Sequence, residues 1–306
     1  MSARRARFAD GRWQFQHGPI DCIVHAEGDA SAVDAAVERA WQRFTGVLAE
    51  LMAELPLLRQ DLSLPLPLAG EGGGESLAMA PRGPIARRML AAAGAQADNG
   101  RFITAMAAVA GSVAEDLIAH FDVPGIRRAY VNNGGDIAVH LAAGESFGIG
   151  LVADPARGLA GLPLDGRFVV DAASPVRGIA TSGWRGRSLS LGIADAATVL
   201  AATASMADAA ATTVANAVDL DDPRIVRRAA NQVRDGSDLG ERLVTVGVPP
   251  LSMAQADAAL ARGRASAERE IAAGRIVAAL LCLQGRFVAC GAHLLLPSAA
   301  AETALA

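Results

Sequence analysis

The segment Asn132-Asn133-Gly134-Gly135-Asp136 stands between two short apolar runs, Ala129–Val131 and Ile137–Leu141. Paired glycines after asparagine accept the positive φ angles that a tight two-residue connection demands, so this stretch reads as a β-hairpin or tight turn. It commits part of the chain to antiparallel pairing. Further short strands are expected at Phe147–Val152, Arg167–Val170, Gly178–Ala180, Leu189–Ile193 and Leu243–Val248. A closing hairpin is expected from Ile276–Leu283 and Phe287–Ala289, and one or two strands within Arg12–Ala26. These strands cluster between helical stretches without regular βαβ alternation, which favours an α+β fold over a doubly wound sheet.

Helical periods occupy the rest. Ser31–Leu55 carries an apolar stripe of Val33, Val37, Trp41, Phe44 and Leu48, with Ser31 as the expected N-cap. Pro84–Gly94 and Ile103–Phe121 read as helices, the second with Gly111 and Ser112 inside it, where small residues admit a close backbone or a ligand. Ala196–Val218 reads as helical, in one or two pieces, and Met253–Ala273 as a charged helix. Leu64-Pro65-Leu66-Pro67 and the glycine-rich Gly70–Ser76 make residues 61–77 a loop or insertion. That run lacks the Gly-Lys-Ser/Thr and the preceding strand of a phosphate-binding loop. With no internal repeat, the 306 residues read as a single domain able to bury a full core unaided.

Composition excludes some functions. The chain contains no lysine, and its net charge is −4. Lysine nucleophiles and Schiff bases are therefore ruled out, and cationic contacts to phosphate fall to arginine or backbone N–H groups. The balance does not favour a general nucleic-acid binder. Cys22, Cys282 and Cys290 are odd in number and lack metal spacing; they fit a reducing compartment and read as buried small hydrophobes. No secretory leader is recognisable at the N-terminus, and the apolar stretch Phe102–Ala114, about 13 residues, is too short to cross a bilayer. The expectation is a cytoplasmic protein, with an apolar, weakly charged composition that mildly favours a homodimer.

Three stretches carry candidate chemistry. Asp208 and Thr212, within Ala207-Asp208-Ala209-Ala210-Ala211-Thr212, stand one helical turn apart and offer a carboxylate and a hydroxyl on one face. Both are oxygen ligands that suit Mg²⁺. Equally, Asp208 could cap or solvate the start of its helix, with Thr212 bonding back to the Asp208 carbonyl. Asn132, Asn133, Gly134, Gly135 and Asp136 offer amides and flexible backbone to a base or phosphate, or form an ordinary hairpin turn. Ala180-Thr181-Ser182-Gly183 ends a strand with two hydroxyls and a glycine, fit for a phosphate or ribose, or simply a turn. Among the histidines no pair has ligand spacing; His140, four residues past Asp136, is the one to watch.

Taken in order, these pieces resemble the ApbE-like superfamily, whose type activity is FAD:protein FMN transfer and which was earlier tied to thiamine biosynthesis. The matching pieces are the small-residue helix Ala108–Asp116, Val131–Ile137, Ala180–Gly183, a strand Ser188–Ala194, and Ala207–Thr212. The likeness is strongest over residues 80–220. Met106–Gly111 and Ser188–Asp195 are most similar to an uncharacterised branch of short, cytoplasmic, ApbE-related proteins. The resemblance implies an ApbE-like, T-fold-related domain with a mixed or antiparallel sheet and packed helices. It implies that Asp208, Thr212 and a backbone carbonyl near Ala108 or Ala110 hold Mg²⁺. It further implies that Asn132–Asp136 and Thr181, Ser182 and Gly183 line a pocket for FAD or FMN. In the transferase reaction FMN passes to a threonine or serine of an acceptor protein. The alternatives are a binding protein that keeps the fold without the transfer, or an enzyme acting on another nucleotide- or pterin-like substrate. Gly111 stands where the family has lysine, and a His-x-x-Asp-Pro-x-x-Gly segment is absent between Gly183 and Ser188. Arg185 or Arg187 could supply the missing charge, and Trp184 could stack on a ring.

Overall fold

The computed structural model describes residues 2–63, 80–97, 101–151, 166–291 and 295–297. The chain is α+β and divides into two compact units, one formed by residues up to His140 with Ala204–Ala209, the other by Leu141–Thr203 and the chain from Ala210.

In the first unit β1 (Arg4–Arg7), β2 (Trp13–His17), β3 (Ile20–Gly28), β4 (Ile126–Asn133) and β5 (Asp136–Leu141) lie side by side in that order. β1, β2, β3 and β4 pair antiparallel. Between β3 and β4 the chain makes α1 (Ala30–Leu58), α2 (Pro84–Gly94) and α3 (Val109–Ile118). The helices cover one sheet face because the inward set of each strand is apolar: Phe15, Cys22, Val24 and Val131 meet Val37, Ala40, Phe44 and Val47 of α1, Met89 of α2, and Val113 and Leu117 of α3. The Phe15 ring lies 5.2 Å from Trp41 and 5.5 Å from Phe44. α1 starts two residues earlier than expected, with Asp29 rather than Ser31 at the N-cap and no side-chain cap bond.

The helix expected over Ile103–Phe121 is broken. Ala105–Ala108 forms a 3₁₀ turn, Ala108 leaves helical geometry (φ −125°, ψ 13°), and α3 begins at Val109. Residues Ala119–Phe121 form a second 3₁₀ turn. The residues of the expected 61–77 loop from Leu64 onward, including Gly70–Ser76, lie outside the described residues.

The second unit contains β6 (Ser146–Leu151) paired with β7 (Gly166–Asp171), and a sheet ordered β8 (Gly178–Ser182), β9 (Ala196–Ala201), then the two strands of the closing hairpin. α4 (Ala204–Ala217) follows β9, with Ala204–Ala209 in the first unit and the rest in the second; then come β10 (Val226–Ala229), the short α5 (Ala230–Val233), β11 (Leu243–Gly247) and α6 (Met253–Ala272). β12 (Ala278–Leu283) and β13 (Arg286–Gly291) form the hairpin around Gln284-Gly285, both at positive φ, and β14 (Leu295–Pro297) pairs with β7.

Two expectations are corrected. Ser188–Ala194 is not a strand. Its polar–apolar alternation mimics one, but the segment is pinned against the end of α4: Leu191 N–H donates to Asn216 Oδ1 (2.9 Å) and Ile193 N–H to Val218 O (2.8 Å). Nor is Ala196–Val218 helical throughout. Ala196–Ala201 is β9, every residue buried between neighbours on both sides, so the alternation that marks a strand is missing. Among the described residues no helix is long and apolar enough to cross a membrane.

Carboxylates knit the helices of the first unit. Asp116 accepts from Arg43 Nε and Arg88 Nη1, each at 2.6 Å. Arg43 also pairs with Glu50 (2.8 Å), and Arg88 with Glu115 (3.4 Å). Asp116→Ala leaves two half-buried guanidinium groups with one carboxylate each. The expected loss is about 2–3 kcal/mol, below the cost of orphaning a fully buried charge, read from the denaturant midpoint. The three cysteines are free and buried. Burial pushes the Cys22 thiol far up, and burial with the nearby Glu268 raises Cys290 to about 11. Thiolate is therefore scarce below that pH. A chromogenic disulfide at pH 8 should label the native chain slowly and all three thiols after denaturation.

Candidate functional site

The Gly-Gly-Asp turn forms as its composition dictates. Gly134 (φ +71°) and Gly135 (φ +114°) occupy the two turn positions, and Asn132 Oδ1 accepts the Gly135 N–H at 2.8 Å. Asn132 is thus engaged in closing the turn. Asn133, buried, donates through Nδ2 to the Ala110 carbonyl at 3.2 Å and so ties the hairpin to the start of α3. Asp136 is the first residue of β5.

At the start of α3 the orphan N–H groups need acceptors, and the residue at its N-cap, Ala108, has no side chain that can serve. Asp208 of α4 serves instead. Its Oδ2 accepts the Gly111 N–H at 2.8 Å, and Ala110 N–H also bonds its carboxylate. The arrangement is reciprocal. Glu115 of α3 accepts from Ser205 N–H (3.0 Å) and Ser205 Oγ (2.6 Å) in the first turn of α4. The expected alternative, Asp208 capping its own helix, is replaced by a cap on a neighbour. α2 is capped similarly from outside: Glu54 of α1 accepts from Arg82 and Gly83 N–H, each at 2.7 Å.

The two helices approach this closely because position 111 is glycine. A methyl group there would stand 2.2 Å from the Ala204 carbonyl oxygen and 2.8 Å from Asp208 Cβ. No side chain fits, lysine included.

The charge on Asp208 is poorly compensated. Desolvation, reinforced by the facing charge of Asp136, pushes its carboxyl well above the usual carboxylate range; the Gly111 and Ala110 N–H groups oppose that shift without reversing it. Asp208 has no arginine partner among the described residues, whereas Glu115, the other cap, has Arg88. A hard divalent cation fits this chemistry: an under-compensated carboxylate, a second carboxylate nearby, a hydroxyl one turn further along α4 on half-buried Thr212, and backbone carbonyls where the helix breaks at Ala108. Ala110's carbonyl is already engaged by Asn133, which leaves Ala108's as the better placed of the two. Among the described residues no cluster of three or more His, Cys, Asp or Glu side chains could hold a metal, so hydroxyl and carbonyl oxygens would have to complete any site.

The Thr181–Gly183 turn belongs to the second unit. Thr181 Oγ1 and Thr198 Oγ1 share a hydrogen bond of 2.8 Å between β8 and β9. Gly183 packs against backbone, with the Asp195 carbonyl oxygen 2.4 Å from where a methyl would stand. Trp184 and Arg185 are anchored by Asp195, a residue that the sequence did not single out. Its buried carboxylate accepts from Trp184 Nε1 (3.0 Å), Arg185 Nε (2.7 Å) and Gln284 N–H (2.5 Å). The Arg185 guanidinium lies 5.0 Å from the Trp184 ring centre. The only hint in sequence was the acidic end of an otherwise uncharged segment. His140, on β5, has Nδ1 3.6 Å from exposed Asp122 Oδ1, and its Nε2 is buried with no partner among the described residues.

A family model described as "AbpE bacteria" matches residues 5–289. A UPF0280 protein of Methanothermobacter thermautotrophicus is 35% identical over 189 residues, 58% of this chain and 70% of that protein. One from Methanopyrus kandleri is 38% identical over 143 residues, 46% of this chain and 55% of that protein. Among solved structures, the flavinyl transferase ApbE of Pseudomonas stutzeri in its apo form is similar at 15% identity and a TM-score of 0.40, covering 99% of this chain and 98% of that one. The ApbE protein of Thermotoga maritima gives 15% and 0.41, with 98% of each chain covered.

Gly111→Ala should drive its methyl into the Ala204 carbonyl and separate α3 from α4. A loss of about 3 kcal/mol or more is expected, because the clash is with backbone that no rotamer change relieves. Equilibrium unfolding in denaturant measures it; an unchanged midpoint would contradict the close contact.

Proposed function

The chain belongs to the family described as AbpE bacteria, and from that premise we propose that it binds a flavin nucleotide, FAD or FMN, together with Mg²⁺. The observation that carries this reading is the Asp208 carboxylate, desolvated at the start of α3 and opposed by the aspartate of the Gly-Gly-Asp turn. A carboxylate used only as a helix cap gains nothing from a second carboxylate beside it; a carboxylate that receives a dication does.

In this proposal Asp208, Thr212 and the Ala108 carbonyl hold the metal. Asn132, Asn133, Gly134, Gly135 and Asp136 receive the nucleotide. Bound Mg²⁺ supplies charge neutralisation at a pyrophosphate. Asn133 keeps the hairpin in register with α3, so Asp136 stays near Asp208. Asp195 fixes the Trp184–Arg185 pair beside the Thr-Ser-Gly turn. Should transfer follow binding, the hydroxyl of a threonine or serine on an acceptor protein attacks the phosphorus bearing FMN, and AMP leaves.

One observation favours binding without transfer. Position 111, lysine in the ApbE pattern, has no space for any side chain here, so the cation of that pattern has no counterpart at this point of the fold.

Calorimetry with FAD, AMP and a pterin, each with and without Mg²⁺, tests the ligand. FAD is expected to bind in a Mg²⁺-dependent manner. Asp208→Ala should weaken binding in Mg²⁺ by about tenfold or more, bringing it to the metal-free level, while the chain stays folded, since a lost helix cap costs only about 1–2 kcal/mol. Undiminished Mg²⁺ dependence in that variant would refute the metal assignment. Incubation with FAD and a threonine-bearing carrier peptide distinguishes the two readings: an added FMN mass supports transfer, and tight FAD binding without it supports the binding protein.

A further inference from the structure

The chain is acidic overall, yet its first strand is not. Arg4, Arg5, Arg7 and Arg12 stand against the single Asp10, in a protein of net charge −4. β1 is the last strand of its sheet; it pairs with β2 on one side, and no described strand pairs with the other. All four of its residues are exposed. Such an edge presents a row of backbone donors and acceptors ready for another extended segment.

The arginines are held in place. Arg5 stands opposite Phe15 and Arg7 opposite Trp13, so both extend the helix-covered face of the sheet past its rim. Arg7 lies 5.1 Å from the Trp13 ring centre, and Arg5 lies 5.8 Å from Trp13 and 5.4 Å from Trp41. Arg5 is also paired with Glu38 of α1 at 2.5 Å. Arg4 and Ala6 face the other way, opposite Gln16 and Gln14. Guanidinium groups lying on indole rings are pre-ordered, and they keep planar donors for a carboxylate.

We propose that the outer edge of β1 takes an acidic, extended peptide segment of a partner protein, which adds a strand beside Arg4–Arg7. Carboxylates two residues apart on such a segment repeat at about 6.6–6.8 Å, the spacing of Arg5 and Arg7 along β1. Main-chain hydrogen bonds supply the pairing and the arginines select acidic sequence. A second copy of this chain is a poor occupant, because edge-to-edge pairing would set one arginine row against another. The inference is independent of the nucleotide site.

The test uses the intact chain and a fluorescent peptide of alternating glutamate and valine, followed by anisotropy at low salt. Controls are a lysine–valine peptide and the glutamate–valine peptide N-methylated at every second residue, prepared in both phases. The acidic peptide should bind saturably, about tenfold or more tighter than either control. Arg4→Glu combined with Arg7→Glu should weaken it by a similar factor without changing the melting temperature. Absence of saturable binding overturns the proposal. So does equal binding by the N-methylated peptides, which would mean charge attraction without strand addition, or equal binding of a single-stranded oligonucleotide. The peptide comparisons stand on the unmodified protein even if the double variant fails to fold.

Discussion

The reciprocal capping of α3 and α4 organises the first unit. Glu115 of α3 satisfies the first turn of α4, and Asp208 of α4 satisfies the first turn of α3. Each bond fixes where the other helix begins, and neither could form if Gly111 carried a side chain. The break at Ala108 follows from the same contact. A helix continuing back through Ala105 would give the Ala110 and Gly111 N–H groups internal partners; because it stops, they point outward to an acceptor from another helix. Asn133 then holds the Gly-Gly-Asp hairpin to the same turn.

Buried Asp195 and half-buried Asp208 show how far such an arrangement departs from ordinary structural use. Asp195 collects an indole N–H, a guanidinium and a backbone N–H, so its charge is matched by a cation and its acceptors are filled. Asp208 collects backbone N–H groups alone and faces another carboxylate. A helix N-terminus offers the equivalent of roughly half a positive charge, too little to offset both desolvation and a like charge. The fold therefore carries an electrostatic deficit at one point, where the oxygen donors are also concentrated.

What the sequence disclosed follows how local the governing rule is. The hairpin at Gly134-Gly135 was legible because positive φ at two consecutive positions is a demand that few residues meet. The α2 limits, Pro84 and Gly94, were legible from proline at a helix start and glycine at its end. The sequence-level pairing of Asp208 with the Gly-Gly-Asp motif came from resemblance; in the fold the like charges of Asp136 and Asp208 act on each other. β9 escaped because alanines buried on both faces carry no period, and Ser188–Ala194 misled because its alternation serves bonds to Asn216 and Val218 rather than a ladder. The cap on α3 was illegible for a different reason. Its donor and acceptor lie 97 residues apart, and no local pattern distinguishes an aspartate that caps its own helix from one that caps another.

The glycine at 111 has the widest consequence. The resemblance sets a lysine of the ApbE pattern at this position, and a chain without lysine could have placed arginine there. A side chain of either kind would lever α4 away from α3, because the nearest neighbours are the backbone carbonyl of Ala204 and the Cβ of Asp208, neither of which can rotate aside. Glycine therefore exchanges a mobile charge for a fixed contact. The positive potential at this point comes from the peptide N–H groups of α3, which are rigid, cannot titrate, and point at one carboxylate. In the site proposed above, such donors would hold an ion and a nucleotide in one geometry. They are less suited to steps that need a flexible cation to follow a moving phosphate, since they are part of the helix itself.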